Sequence, residues 1–100
     1  MEPQKSWSVE YHPTGREGYL FYHEESRSIP FYWELGGGAV LLIVRFDEPG
    51  KFVVRYPWTA ARRKEILTRL SQEIIRQKTP GCNAEIDEQN ICIYIREQTQ

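Results

Sequence analysis

The residues best suited to chemistry lie together in the run 57–64, which reads Pro-Trp-Thr-Ala-Ala-Arg-Arg-Lys. Arg62, Arg63 and Lys64 put three cations at the predicted start of a helix, where the backbone N–H groups already carry partial positive charge. Such a helix start either needs acidic side chains from elsewhere in the fold or binds an anion. We therefore predict a candidate anion- or partner-binding site made of Arg62, Arg63 and Lys64, with Trp58 beside them.

Arg63 differs from its neighbours because a helical projection puts it in line with the apolar residues that follow. Its side chain can extend along the core to reach water, or pair with an acidic group of the sheet, or hold an anion at the helix start. The order of the strands makes Glu34, Asp47 and Glu48 the candidate internal partners. We expect internal pairing.

Signatures of catalysis and metal binding are missing from the sequence. His23-Glu24 begins like a zinc-protease motif, but position 27 is Arg and the second histidine is absent. The glycines at 36–38 lie between predicted strands rather than before a helix, so they predict no phosphate-binding loop. We predict no catalytic residue, no metal and no cofactor, and a small enzyme is the third hypothesis for function.

Nucleic-acid binding is the second hypothesis, because aromatic strands beside a basic helix are typical of single-strand binders. The charge distribution argues against it. Residues 1–50 contain four Lys and Arg against eight Asp and Glu, so the aromatic half of the chain repels phosphate. Residues 51–100 contain nine against six.

Length and composition predict one ordinary globular domain. Charged residues make up 27% and hydrophobic residues 40% of 100 residues, which indicates a single domain over 1–100, with frayed ends at 1–5 and 97–100. The longest apolar run, 39–44, is far below the roughly 20 residues of a membrane helix. Cys82 and Cys92 match no metal spacing, which favours free thiols. We expect a cytoplasmic protein with no membrane segment.

The pattern of apolar residues and turns predicts an α+β fold. It has an antiparallel meander sheet of about five strands, one main helix packed across it, and a C-terminal β-hairpin. Ile66, Leu67, Leu70 and Ile74 form the core-facing stripe of the helix, and Arg62, Arg69 and Arg76 form an outer face paired with Glu65 and Glu73. The predicted strands are 7–11, 18–24, 29–35, 39–46, 51–56, 84–87 and 91–96, and the helix is 59–78.

The predicted sheet has more apolar surface than one helix can cover. The run 39–44 is apolar on both faces, which predicts an interior, nearly fully buried strand. The excess is closed by curling of the sheet, by dimerisation, or by a bound ligand. We therefore expect a non-catalytic binding or assembly module that forms a homodimer through a sheet face, with a separate protein partner also open.

Overall fold

The computed structural model describes residues 6–98, which form one six-stranded antiparallel sheet with two helices. The strands are β1 (Trp7–Pro13), β2 (Glu17–Glu24), β3 (Arg27–Leu35), β4 (Val40–Arg45), β5 (Asn83–Asp87) and β6 (Cys92–Arg96), in the spatial order β1-β2-β3-β4-β6-β5. The helices are α1 (Pro49–Arg55) and α2 (Arg63–Lys78), separated by a 3₁₀ turn, Pro57–Thr59. The predicted α+β class, antiparallel sheet, main helix and C-terminal hairpin are confirmed.

The core lies between the sheet and α2. The predicted stripe is confirmed, because Ile66, Leu67, Leu70 and Ile74 are all fully buried. On the sheet, Tyr22 lies opposite Val9 on one side and Ile29 on the other, and this face packs under the helix. Since side chains alternate along a strand, the residues between them form an outer face. Helix α2 contacts both edge strands, β1 and β5, so the sheet curves around the helix.

The predicted strand 51–56 is wrong, because this segment belongs to helix α1. Pro49 stands at the first helical turn, where its fixed φ suits a helix and its missing N–H costs nothing. Phe52 is then buried, and its ring lies 5.6 Å from that of Tyr56 one turn later. The valines that suggested a strand face solvent, and Val54 is 79% exposed.

The main helix begins later than the predicted Thr59. Thr59 closes the 3₁₀ turn, and its hydroxyl donates to the carbonyl of Tyr56. Ala61 then has a positive φ of 64°, which interrupts helical geometry, and α2 begins at Arg63. Alanine seldom adopts a positive φ, so the sequence around residue 61 gives no indication that the helix is interrupted there.

The prediction for 39–44 is only half right. Strand β4 is interior, between β3 and β6, but only Val44 is fully buried. Val40, Leu41, Leu42 and Ile43 are partly exposed, because no described helix covers the outer face and α2 does not extend over this end of the sheet. The β3–β4 hairpin forms as predicted, and Gly38 adopts a positive φ of 63° within it.

The sequence also predicted frayed chain ends and free thiols. Of the segments expected to fray, 1–5 and 99–100 lie outside the described residues. Glu97 continues the sheet by one hydrogen bond, donating its N–H to the carbonyl of Ala39. Cys82 and Cys92 are both free. Among residues 6–98, neither helix has the length and apolar character needed to cross a membrane.

Candidate functional site

At the start of α2, the arginine side chains are paired with carboxylates from other parts of the fold. Arg62 precedes the first residue of α2 and directs its guanidinium to Glu24, the last residue of β2, with Nη1–Oε1 and Nη2–Oε2 distances of 2.7 and 2.9 Å. Its Nε also donates to Glu65 at 2.6 Å. Arg69 reaches the same Glu24 carboxylate at 3.2 Å. The ion pairs of Arg62 and Arg69 with Glu24 and the ion pair of Arg62 with Glu65 therefore form one connected network.

Glu24 is the centre of this network. Its side chain is 11% exposed and also accepts a 2.6 Å hydrogen bond from the Tyr22 hydroxyl. The hydrogen bonds from Arg62, joined by the one from Tyr22, lower the pKa of Glu24 to about 2, although burial acts in the opposite direction. Burial and the Glu24 hydrogen bond raise the pKa of Tyr22 to about 12. Glu24 is therefore ionised, and both of its carboxylate oxygens are bonded to arginines.

Arg63 is held internally, as predicted, but by a residue outside the predicted set. Its Nε and Nη2 donate to the Glu88 carboxylate at 2.9 and 2.8 Å, and Nη2 also donates to the carbonyl of Asp47 at 2.8 Å. Its guanidinium carbon lies 4.9 and 5.2 Å from the ring centroids of Phe46 and Phe52. The side chain is only 14% exposed, so Arg63 is a partly buried structural cation.

The predicted partners of Arg63 serve other roles. Glu34 pairs with Arg45 at 2.7 Å across β3 and β4, and the Asp47 carboxylate pairs with Arg55 at 3.3 Å. Glu48 is exposed and precedes helix α1. The partner that was missed, Glu88, lies in the β5–β6 turn, and strand order along the chain gives no indication that this turn reaches the start of α2.

Lys64 and Trp58 complete the predicted site. Lys64 is exposed, whereas Trp58 is partly buried with the guanidinium carbons of Arg27 and Arg62 at 5.2 and 6.0 Å from its ring centroid. The structure thus brings Trp58 and Arg62 together and directs Arg63 to the opposite side, toward Phe46. Both guanidinium groups have carboxylate partners, and Nη1 of Arg63 is buried without a hydrogen-bond partner among the described residues. Anion binding at this helix start stays a prediction.

The outer face of the sheet is the second candidate surface. Its centre is aromatic and aliphatic, with Tyr19 54% exposed and the Tyr19 and Tyr32 rings in edge contact at 5.8 Å. Ile43 and Tyr94 extend this centre across β4 and β6, where they lie opposite each other. We call the set Tyr19, Phe21, Tyr32, Ile43 and Tyr94 the outer patch. Every member is at least partly exposed.

Charged and polar groups lie within and around the outer patch. Glu34 and Arg45 are the cross-strand partners of Ile43 and Tyr32, and their 2.7 Å ion pair runs between these two patch residues. Glu85 and Arg96 form a second cross-strand ion pair beside Tyr94, at 3.1 Å. Tyr32 donates a hydrogen bond to Glu17, and this bond raises the pKa of Tyr32 to about 12. Protein interfaces that form and dissociate contain such polar contacts beside their aromatic residues.

A chain of hydrogen bonds that the sequence analysis missed lies beside the outer patch. His23 bonds to Ser28 through Nδ1 at 2.6 Å and to Glu10 through Nε2 at 2.9 Å, and His12 bonds to the other Glu10 oxygen at 2.7 Å. These histidine bonds lower the pKa of Glu10. The alternation of Glu10 and His12 along β1 is the one sequence signal that could have indicated part of it.

The order Ser28–His23–Glu10 is that of a nucleophile, a base and an orienting carboxylate. The setting does not favour catalysis, because the Glu10 and His12 side chains are 55% and 54% exposed on an open surface. Charge that developed there would be stabilised by water rather than by fixed dipoles. Within residues 6–98, no group of three or more His, Cys, Asp or Glu side chains is arranged to hold a metal ion. We interpret the chain of bonds as a polar surface network.

Comparison of the chain with models of protein families, with curated proteins and with solved structures gave no match.

Proposed function

We propose that this protein is a non-catalytic binding or assembly module that forms a homodimer through the outer face of its sheet. The single observation that carries the proposal is the outer patch, an aromatic centre that no element among residues 6–98 covers. Tyr and Phe are enriched in protein interfaces because they supply large contact areas at low conformational cost.

The size of the face supports an interface between two copies. Six strands spaced about 4.8 Å apart give a width of about 25 Å, and strands of this length extend about 20 Å. A standard interface removes about 800 Å² of accessible surface from each partner. The accessible area of such a face is of the same order, so a sheet-to-sheet contact uses most of it.

Tyr19→Asp tests the proposal, with Val54→Asp as the matched control. Both residues are exposed large hydrophobic residues, but Val54 lies on α1 rather than on the sheet. Sedimentation velocity at micromolar concentration should give dimers for the unmodified protein and for Val54→Asp, and monomers for Tyr19→Asp. A monomeric unmodified protein would refute the proposal. Dimers that survive Tyr19→Asp but not Val54→Asp would assign the contact to α1 instead.

A further inference from the structure

An apolar groove lies on the helix side of the sheet, beyond the C-terminal end of α2. Its volume is about 370 Å³, which is near the lower end of the range for small-molecule sites, about 300–1,000 Å³. The walls come from the ends of β1, β3 and β4, and the rim comes from the last turn of α2. The lining residues include Tyr11, Trp33, Leu35, Leu42, Lys78 and Thr79.

Two hydroxyl groups of the groove residues lack hydrogen-bond partners. The Tyr11 Oη and Thr79 Oγ1 atoms are both buried, and neither has a partner within the described part of the chain. Leaving a buried hydroxyl unsatisfied costs about 1–3 kcal/mol. Both hydroxyls belong to residues that line the groove, so rotation of either side chain toward the groove lets a guest supply the missing acceptor oxygen.

The charges near these hydroxyls disfavour a carboxylate guest. Burial raises the pKa of the Tyr11 phenol, and the negative charge of the buried Glu73 raises it further. The end of α2 adds the partial negative charge of its free carbonyl groups. Lys78, the cation among the described lining residues, is exposed, so water screens its charge, and its Nζ lies 4.7 Å from the centroid of the Tyr11 ring.

We infer that the groove binds an uncharged amphipathic molecule, with an aliphatic body of about ten carbons and one carbonyl or hydroxyl oxygen. The body packs on Trp33, Leu35 and Leu42. The oxygen accepts a hydrogen bond from the hydroxyl of Tyr11 or Thr79, after a small adjustment of those side chains. The groove is on the face of the sheet opposite the outer patch, so this inference is independent of dimerisation.

The probe is 2-nonanone, titrated while the indole N–H signals of the three tryptophans are followed by NMR. Trp33 lines the groove and Trp58 lies at the other end of α2, so Trp58 is an internal control. The Trp33 signal should shift saturably and the Trp58 signal should not. Nonanoate, the charged analogue, should bind about tenfold more weakly. Absence of saturation at millimolar ketone, or tighter binding of nonanoate, would overturn the inference.

Three variants separate groove binding from adsorption. Leu35→Trp should abolish the shift by filling the groove, whereas Val54→Trp, an aromatic added on exposed α1, should leave it unchanged. Tyr11→Phe should weaken ketone binding about fivefold without lowering the melting temperature, because it removes an unsatisfied hydroxyl. Thr79→Val provides the same measurement if Tyr11→Phe does not fold. Equal affinity in the folded hydroxyl variants, or binding unaffected by Leu35→Trp, would refute the assignment.

Discussion

Replacing Glu24 with Gln should destabilise the protein by about 2–3 kcal/mol at pH 7. The pKa of Glu24 falls from an ordinary 4.5 to about 2 on folding, and about 2.5 pKa units correspond to about 3 kcal/mol of favourable interaction. Because the side chain is only 11% exposed, little of this is lost to solvent screening. Arg62 keeps its contact with Glu65 in the variant, so the loss should be somewhat smaller than the full value.

The same pKa difference fixes the direction of the pH dependence. A carboxyl group whose pKa is lowered by folding stabilises the protein above its unfolded pKa, and this stability is lost as pH falls through the folded value. For Glu24 the window runs from about pH 4.5 down to about pH 2. The unmodified protein should lose about 2 kcal/mol from this group by pH 3. Glu24→Gln should lack this component.

Urea denaturation followed by circular dichroism at pH 7, 5, 4 and 3 measures both effects. Glu25→Gln is the matched control, because Glu25 is the exposed neighbour of Glu24. Its stability and pH profile should follow those of the unmodified protein. If Glu24→Gln changes the free energy of unfolding by less than about 0.5 kcal/mol at pH 7, or keeps the same slope between pH 5 and pH 3, the network does not stabilise the fold as argued.

Two further predictions concern the helix start and the interior strand. Arg63→Gln should cost about 2–4 kcal/mol in urea denaturation, since it leaves Glu88 without its cation and removes a side chain packed between two aromatic rings. Phosphate should stabilise the unmodified protein no more than chloride does at matched ionic strength, and a phosphate-specific rise in melting temperature would restore the anion site. Val44→Ala should cost about 2 kcal/mol because Val44 is fully buried, whereas Ile43→Ala, on the outer face, should cost less in the monomer and weaken dimerisation. Equal losses at the two positions, with dimerisation unchanged, would contradict this assignment of faces.

The sequence predicted the elements whose signals are local. The apolar stripe from Ile66 to Ile74 has the 3.6-residue period of a helix, and the hairpins have glycine or polar turns. The helix and the hairpins could therefore be predicted from the sequence. Segment 51–56 could not be predicted correctly, because its β-branched residues favour a strand. The proline at the start of the helix and the burial of Phe52 stabilise a helix there instead.

The candidate site was recovered only in part, because its partners are distant along the chain. The need for acidic partners at the helix start followed from charge alone, and Glu65 was predicted to pair with the arginines of the outer helix face. The identity of Glu24 and Glu88 depends on how β2 and the β5–β6 turn pack against α2, which is a tertiary property. The two unsatisfied hydroxyls of the groove are invisible in any local pattern for the same reason.

The two edge strands bear on how this protein can and cannot grow into larger assemblies. Strand β1 ends in Pro13, which has no N–H to donate, and β5 has only five residues, with Glu85 and Asp87 among them. Both features oppose the addition of a further strand, which is the route to open-ended fibres. Contact through the face is different, because a two-fold pairing of faces uses up both surfaces and stops at two copies. In the proposed dimer the open face of the sheet is used up in a closed assembly, while the two edge strands oppose the addition of further strands.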